Sequence, residues 1–300
     1  MKRTIRDVAL ATLLSSHLLT SQPATAQGLE SRKTDLIENF ENKKTSIDKY
    51  LISLLSNNKN KISYFVEKPT KAYYDSDKKQ EWCIIPTWTY LRENQIDNDL
   101  STEELVCYTI KWKNIWIPKI MLSPIDEKLI NQYLKPKTEK AIVVDKSNRK
   151  LLVYNQYGKN LVKEFSIALS PMETWDKTIE WDGNAPEGKY YICYKNPASA
   201  FWENPETWSR LWSLQISYPN IQDAIEWLIS GEITKAQYQW INNSIQQKKI
   251  PSQWTPLWNY IMIHWWGSEE DWTLWCIWLN DEDMLWLYNT IWTWTDIFIW

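Results

Sequence analysis

The residues best suited to chemistry are one histidine and one cysteine near the C-terminal end of the chain. His264 follows the apolar run 260–263, and Cys276 opens a second apolar run after a polar loop. A thiol and an imidazole on neighbouring segments are the minimum equipment for cysteine acyl transfer, because the imidazole can take the thiol proton. The first run predicts a buried strand ending at His264, so both side chains could meet at one sheet end. The alternative is an inert core cysteine near a surface histidine.

The composition argues against several other kinds of protein. The 300 residues carry a formal net charge of −3, which gives no electrostatic footprint for nucleic acid. Beyond the first residues the chain has a single histidine, and its four cysteines lack C-x-x-C spacing, so no metal-ligand set emerges. A G-x-x-x-x-G-K-[ST] phosphate loop and a G-x-S-x-G elbow are also missing. We therefore expect no cofactor, no metal and no nucleic acid partner.

Residues 1–26 have the pattern of a secretory signal peptide. A basic start precedes the moderately apolar stretch 8–20, and Ala24-Thr25-Ala26 is a small-residue cleavage site. Cleavage before Gln27 removes three positive charges and one negative charge, which takes the net charge from −3 to −5. We expect a protein exported to the cell envelope, in the periplasm or cell wall, with no membrane span after leader cleavage. An uncleaved anchor is the alternative.

The middle of the chain predicts a helix, a small β module and a linker. Apolar residues at helical intervals from Ser31 to about Asn58 predict an amphipathic helix, so residues 27–61 form a helical spacer. Residues 62–124 predict short strands typical of a small barrel. The polar residues 125–139 predict a linker. The strands predicted in the module are 64–66, 83–86, 89–91, 106–110 and 115–118.

Residues 140–300 predict a larger, mainly β domain with a helical insertion. Strands 141–145, 150–154 and 161–169 alternate with turn residues, which indicates an antiparallel meander. The segment 221–249 predicts helices broken at Gly231, and a short helix over 281–289 has Asn280 or Asp281 as its cap. Strands 190–194 and 214–217 extend the sheets.

Two stretches resemble the catalytic core of the L,D-transpeptidase (YkuD-like) family. The first is Ile263-His264-x-x-Gly267, and the second is Asp271-Trp-Thr-x-x-Cys276-Ile-x-Leu-x-Asp-Glu-Asp-Met. The likeness spans roughly residues 140–299. Matches in the same order are Asp176-Lys177, Asp182-Gly183, Pro186-Glu187-Gly188-Lys189-Tyr190 and Ser217-Tyr218-Pro219-Asn220. The resemblance implies a mainly β fold, with a β-sandwich catalytic domain over 140–300, a helical insertion, and an N-terminal helix. The module over 62–124 resembles a small bacterial SH3-like β-barrel.

The resemblance also implies a peptidoglycan L,D-transpeptidase. Cys276 would attack a stem-peptide carbonyl, expel a terminal D-amino acid and form a thioester, and the amine of a second stem would take the acyl group. His264 would be the base. Backbone N–H groups of Leu274, Trp275 and Cys276 would bind the oxyanion. The family's carbonyl that orients the imidazole falls on Trp265, and Thr273 matches the family's Ser/Thr before the cysteine.

Departures from the family pattern leave the acceptor open. Leu274 stands where the common form has a second histidine, and Trp278 stands where Arg or Asn is usual. With water as acceptor the protein would be an L,D-carboxypeptidase or an amide hydrolase of the cell wall. A third alternative is a non-catalytic wall-binding protein that acts through its SH3-like module. The sequence does not identify substrate-binding residues.

Tryptophan stands where the family has glycine. The chain has 22 Trp and 6 Gly, although Gly alone usually makes up about 7% of residues. We hypothesise that many of these codons are UGA, read as Gly in the living cell, because the largest side chain cannot replace an absent one at turns. The alternative is a Trp-rich carbohydrate binder. The positions concerned include Trp181, Trp258, Trp265, Trp275 and Trp294.

The four cysteines also allow a disulfide. Cys83 and Cys107 both lie on predicted strands of the small module, so they could pair in an exported protein. Cys193 is predicted to face a core. Cys276 must stay reduced if it is a nucleophile, so a bond between Cys193 and Cys276 would exclude catalysis.

Overall fold

The computed structural model describes residues 46–57, 62–78, 80–86, 89–124, 126–172, 176–178, 182–197, 212–251, 255 and 260–300. Strands dominate these residues, so the mainly β fold class is confirmed. The predicted signal peptide and the first half of the predicted N-terminal helix lie outside the described residues. The described part of that helix is α1 (Ile47–Asn57), whose Ile47 and Leu51 are fully buried.

The N-terminal β module consists of two small sheets. One has three strands in the order β4-β1-β8, and the other has five in the order β3-β2-β7-β6-β5. All five strands predicted here are present, whereas β2, β5 and β8 are additional. The strands are β1 (Ile62–Val66), β2 (Thr70–Tyr73), β3 (Glu81–Ile85), β4 (Tyr90–Arg92), β5 (Ile96–Asp97), β6 (Leu105–Ile110), β7 (Lys113–Pro118) and β8 (Leu122–Pro124).

The pairing considered for Cys83 and Cys107 is wrong, because all four cysteines are free thiols. Cys83 lies on β3 and Cys107 on β6, and β2 and β7 lie between them in the sheet. Three strand steps separate the two residues by roughly 14 Å. A disulfide needs Cα atoms within about 7 Å.

The segment predicted as a polar linker contains a helix, α2 (Glu127–Leu134). Leu134 is fully buried in a core cluster that also contains Ile47 and Leu51 of α1. Burial of a leucine or isoleucine side chain contributes about 1.5–3 kcal/mol. The two helices therefore form part of the hydrophobic core.

The larger sheet has eight strands in the order β11-β10-β9-β16-β12-β13-β14-β15. The first three strands form the predicted antiparallel meander. β16 lies parallel to β9, and β15 lies parallel to β14. The strands are β9 (Ala141–Asp145), β10 (Lys150–Asn155), β11 (Asn160–Ser166), β12 (Gly188–Asn196), β13 (Ser213–Ile216), β14 (Met262–Trp265), β15 (Ile277–Leu279) and β16 (Asp296–Ile299).

The sheet curls until its two ends meet. Ala168, just beyond edge strand β11, bridges Trp278 on the opposite edge strand β15. Ala168 N–H donates to the Trp278 carbonyl at 2.9 Å, and Trp278 N–H donates to the Ala168 carbonyl at 3.0 Å. The strands thus form a near-barrel, with β15 at the closure.

The centre of this sheet is covered on both faces, as its uninterrupted apolar strands require. On β9, Ala141 and Val143 belong to the core cluster beneath α1 and α2. The alternate residues Ile142 and Val144 belong to the main core cluster on the other face. All five residues of β9 are buried.

The helical insertion predicted over 221–249 is present as α3 (Ile221–Ser230) and α4 (Lys235–Gln246). Asn220 and Asp223 form a capping box at the start of α3. Gly231 ends α3 at φ +82°, a conformation that glycine adopts without strain. The last helix, α5 (Asp281–Thr290), is capped by Asn280, whose side chain accepts a hydrogen bond from Asp283 N–H.

Candidate active site

His264 and Cys276 lie on neighbouring parallel segments at the closure of the sheet. The register of β14 and β15 pairs His264 with Trp278, and Cys276 immediately precedes β15. Residues two apart on a strand share a face, so Cys276 and Trp278 point to the side on which His264 lies. The register places Cys276 opposite Met262, two residues before His264 on the neighbouring strand, so both side chains lie on one face of the sheet.

Each of the two side chains is oriented by a backbone group. The Cys276 thiol donates a weak hydrogen bond to the Tyr260 carbonyl at 3.7 Å. The imidazole of His264 is hydrogen-bonded to the backbone of Trp265, which favours its protonated form. Within the described residues no hydrogen bond joins the thiol to the imidazole directly. Catalytic hydrogen bonds are often long before substrate binds.

Burial keeps both groups neutral in this arrangement. It raises the pKa of the Cys276 thiol to about 12, although the Met262 backbone and the Lys177 charge act in the opposite direction. It lowers the pKa of His264 to about 4, although the hydrogen bond to Trp265 acts in the opposite direction. Both shifts therefore favour the neutral thiol and the neutral imidazole.

The loop that leads to Cys276 is anchored at Asp271. Arg149 donates to this carboxylate from Nε and from a terminal nitrogen, at 2.8 and 2.7 Å to Oδ2, and Leu169 N–H donates to Oδ1 at 2.9 Å. Burial alone would raise the pKa of Asp271, but these hydrogen bonds and the Arg149 charge lower it. The loop is therefore fixed to the turn between β9 and β10 through Arg149, and to Leu169, which directly follows the sheet closure at Ala168.

The other predicted site residues surround the cysteine. Thr273 is buried, and its Oγ1 donates to the Cys276 carbonyl at 2.9 Å. Leu274 is exposed, whereas Trp275 is half-buried. Residues 274–276 form a bend before β15, so their backbone turns at the position where the oxyanion donors are expected.

Tryptophan rings form the wall around the histidine. The ring of Trp278 packs 4.0 Å from the His264 ring centroid. Trp272 packs 3.8 Å from Trp278, and Trp266 lies 5.6 Å from Trp272. These rings displace water from the imidazole, which accounts for its lowered pKa.

The family model for the L,D-transpeptidase catalytic domain, YkuD, matches residues 139–299, which is more than half of the chain. The chain belongs to this family. The matched region contains the eight strands of the near-barrel, the helical insertion, His264 and Cys276. No curated protein sequence matches the chain.

Solved structures also give distant matches. The helical cell shape determining protein Pgp2 from Campylobacter jejuni is 17% identical, with a TM-score of 0.36 over 56% of this chain and 50% of that one. Bd1075 from Bdellovibrio bacteriovorus is 17% identical, with a TM-score of 0.33 over 56% and 51%. An L,D-transpeptidase from Mycobacterium tuberculosis H37Rv is 10% identical, with a TM-score of 0.31 over 80% and 79%. This chain spans about half the length of the first two.

One charged pair of the YkuD domain was missed as part of the site. Lys177 is fully buried, its Nζ lies 3.0 Å from Asp182, and it lies 5.5 Å from the centroid of the Trp275 ring. Its charge acts to lower the pKa of Cys276. The sequence signal for Lys177 is the motif Asp176-Lys177 followed by Asp182-Gly183, which by itself indicates only the resemblance to the family.

A buried ionic network lies next to that pair and joins the N-terminal module to the YkuD domain. Arg92 of β4 pairs with Asp176 and, at 3.0 Å, with Glu226 of α3. Burial raises the pKa of Asp176 to about 7, although the Arg92 charge opposes it. Asp176 directly precedes Lys177 in the chain. The network therefore ends next to the loop that leads to Cys276.

Two tryptophans are among the nine non-glycine residues of the described chain that have a positive φ. Trp266 has φ +122° and Trp294 has φ +71°, and both side chains are exposed. A φ near +120° is a region that glycine alone adopts readily. Trp265 and Trp275 have no positive φ, so the strain after the histidine lies one residue later than the family glycine. Trp181 and Trp258 lie outside the described residues.

Two kinds of feature are absent from the described residues. Groups of three or more His, Cys, Asp or Glu side chains placed to hold a metal ion were not found there. The helices of that part of the chain are also too short or too polar to cross a bilayer.

Proposed function

We propose that this protein is a peptidoglycan L,D-transpeptidase in which Cys276 is the nucleophile and His264 the base. The observation that carries the proposal is their placement on the same face of adjacent parallel strands within a YkuD domain. Stem-peptide substrates and export to the cell envelope come with this proposal, because members of the family act on the cell wall.

The acyl transfer proceeds in two balanced steps. His264 takes the thiol proton as Sγ attacks the carbonyl carbon, the bond to the terminal D-amino acid breaks, and the protonated imidazole returns the proton to the leaving amine. The amine of a second stem then attacks the thioester and loses a proton to His264. The C–S bond breaks, and the thiolate regains that proton.

The neutral resting pair fits a concerted proton transfer. The thiol pKa of about 12 leaves little thiolate at neutral pH, so deprotonation must accompany attack. The His264 pKa of about 4 keeps the imidazole free to accept the proton. Backbone N–H groups of Leu274, Trp275 and Cys276 are the proposed oxyanion donors. The hydrogen bond that the imidazole donates to the Trp265 backbone supports the orienting role of Trp265, and the Thr273 bond to the Cys276 carbonyl supports the bend.

Hydrolysis is the second candidate function. It differs from transfer only in the acceptor, and the tryptophan wall bears on this choice because it restricts water around His264. Transfer is therefore preferred for the chain as written. A wall-binding role of residues 62–124 as an SH3-like module is a further part of the proposal, supported by their short strands in two small sheets.

We also propose that some tryptophan codons are read as glycine in the native cell. The positive φ values of Trp266 and Trp294 support this, because both positions suit glycine. Mass spectrometry of peptides from the protein purified from its own cells reads these positions directly. Glycine at 266, 275 and 294 is expected, and tryptophan at all three contradicts the idea.

The function is tested with a stem tetrapeptide donor and an amine acceptor. Mass spectrometry should find release of the terminal D-amino acid together with the acceptor joined to the shortened stem. Cys276→Ala should give neither product. Release without joining would assign the hydrolase, and product formation by Cys276→Ala would exclude the proposed nucleophile.

A further inference from the structure

A large groove separates the N-terminal module from the helical insertion. Its volume is about 1020 Å³, and its walls come from β3, the start of β12 and helix α4. A groove of this size suits a ligand rather than a few waters, since ligand pockets typically measure about 300–1,000 Å³. Neither His264 nor Cys276 lines it.

The groove is well separated from the catalytic pair. It meets the sheet at Lys189 to Tyr191 on β12, whereas Cys276 precedes β15, three strands away. Three strand spacings amount to roughly 14 Å. An extended peptide of four residues has about the same length, at about 3.5 Å per residue.

The charges in the groove favour an anion. Lys137, Lys235 and Lys248 line it, and within the described residues their ammonium groups pair with no carboxylate. The lining carboxylates are already engaged: Glu81 pairs with Lys71, and Asp296 accepts from the backbone N–H of Lys137. The free positive charge is therefore available to a carboxylate ligand.

The uncharged lining favours a glycopeptide among anionic ligands. Gln239, Asn242 and Gln246 project from one face of α4, because they are spaced three and four residues apart. Carboxamides bond peptide groups and sugar hydroxyls in both directions. The ring of Tyr238, on the same helix, adds an aromatic surface on which a sugar can stack.

We propose that this groove binds a carboxylate-bearing glycopeptide. This ligand is a second stretch of the same wall polymer that supplies the stem peptide reacting at Cys276. The identity of the polymer rests on the proposed function, whereas the affinity for a glycopeptide carboxylate does not. The groove would hold the wall polymer while one of its stem peptides reaches Cys276.

Binding is tested by calorimetry on the full chain carrying Cys276→Ala, which removes turnover. The probe is a soluble disaccharide–tetrapeptide with free carboxylates, compared with the same compound whose carboxylates are amidated. K235Q/K248Q should weaken binding of the free acid about tenfold and leave binding of the amidated compound unchanged. Lys119 and Lys159 are exposed outside the groove, so K119Q/K159Q is the matched control and should bind as the parent does.

Equal affinity of K235Q/K248Q and the control pair for the free acid would overturn the proposal. So would equal affinity of the parent for the acid and the amidated compound, or exclusive binding of a phosphate polymer such as polyphosphate. The proposed function fails separately, through absence of product from the chain that retains Cys276. Loss of turnover with carboxylate-dependent binding intact would leave the groove in place.

Discussion

The sheet edge at His264 and Cys276, which we call the proposed catalytic edge, and the ionic network of Arg92 both hold titratable groups away from water, but only the network pairs them with opposite charges. At the edge, His264 packs against the Trp278 ring, and burial shifts the pKa values of Cys276 and His264 towards their neutral forms. In the network, Arg92 is bonded to Asp176 and Glu226, so opposite charges compensate each other. The proposed proton transfer uses neutral partners, whereas the contact between the N-terminal module and the YkuD domain uses paired charges.

The sharpest test of the catalytic edge is Cys276→Ala. We expect the acyl-transfer rate to fall by at least about 10³-fold, because the nucleophile is lost. Unfolding by urea should change little, since Cys276 is only half-buried. Cys193→Ala is the control, because the proposed reaction does not use that buried thiol. The acyl-transfer rate of this variant should stay near that of the parent. Comparable rate losses in both variants would place the chemistry elsewhere.

The corresponding test of the network is Arg92→Met. Removing the guanidinium leaves Asp176 and Glu226 buried without their partner, which costs about 3–5 kcal/mol of unfolding free energy. Urea denaturation measures the loss. Adding Asp176→Asn to this variant should recover part of it, because one uncompensated charge disappears. A strictly additive double variant would show that the two residues do not interact.

The pH dependence of stability follows from the same carboxylate. Burial raises the pKa of Asp176 from 3.8 to about 7, so between these values the folded chain binds more protons than the unfolded chain. The contribution of this group to stability is therefore present below about pH 4 and falls as the pH rises to about 7. Asp176→Asn should flatten this slope in urea titrations from pH 4 to 8. A slope unchanged by the substitution would contradict the assignment.

At the catalytic edge, Trp275→Gly should reverse part of the desolvation. With the indole removed, water reaches the thiol, so the pKa of Cys276 should fall from about 12. The pH dependence of alkylation by iodoacetamide measures it in a chain whose other cysteines are replaced by alanine. Trp112→Gly, which removes an exposed indole of the N-terminal module, should leave the alkylation profile unchanged.

The smallest expected effect concerns backbone strain at Trp266. Replacing it with glycine should stabilise the fold by about 1 kcal/mol, because φ +122° is strained for a residue with a Cβ. Trp266→Ala removes the same ring but keeps the strain, so it isolates the backbone contribution. Thermal unfolding compares the two variants. Equal melting temperatures would show that the φ value carries no cost.

Local patterns were sufficient to predict much of the fold. The apolar run of β9, the turn residues of the meander and Gly231 at the end of α3 each fix a structure within a few residues. The short strands β2, β5 and β8 were missed because they carry little apolar periodicity. Helix α2 was missed because its core contact, Leu134 against α1, depends on residues far away in the chain.

The same limit applies to the site. His264 and Cys276 are close in sequence, so their juxtaposition followed from two neighbouring strands. The residues that tune and anchor them are remote: Arg149 is bonded to Asp271, and Lys177 lies beside Trp275. The motif at Asp176-Lys177 marks Lys177 as a residue of interest, but no local pattern indicates the contacts themselves, because they arise only when the sheet curls and closes.

The two hydrogen bonds between Ala168 and Trp278 close the near-barrel at β15, the strand that directly follows Cys276. Breaking them leaves the nucleophile's strand paired on one side only. The lifetime of this bridge therefore sets how often β15 is held by β14 alone. Amide hydrogen exchange at Trp278 would time that opening.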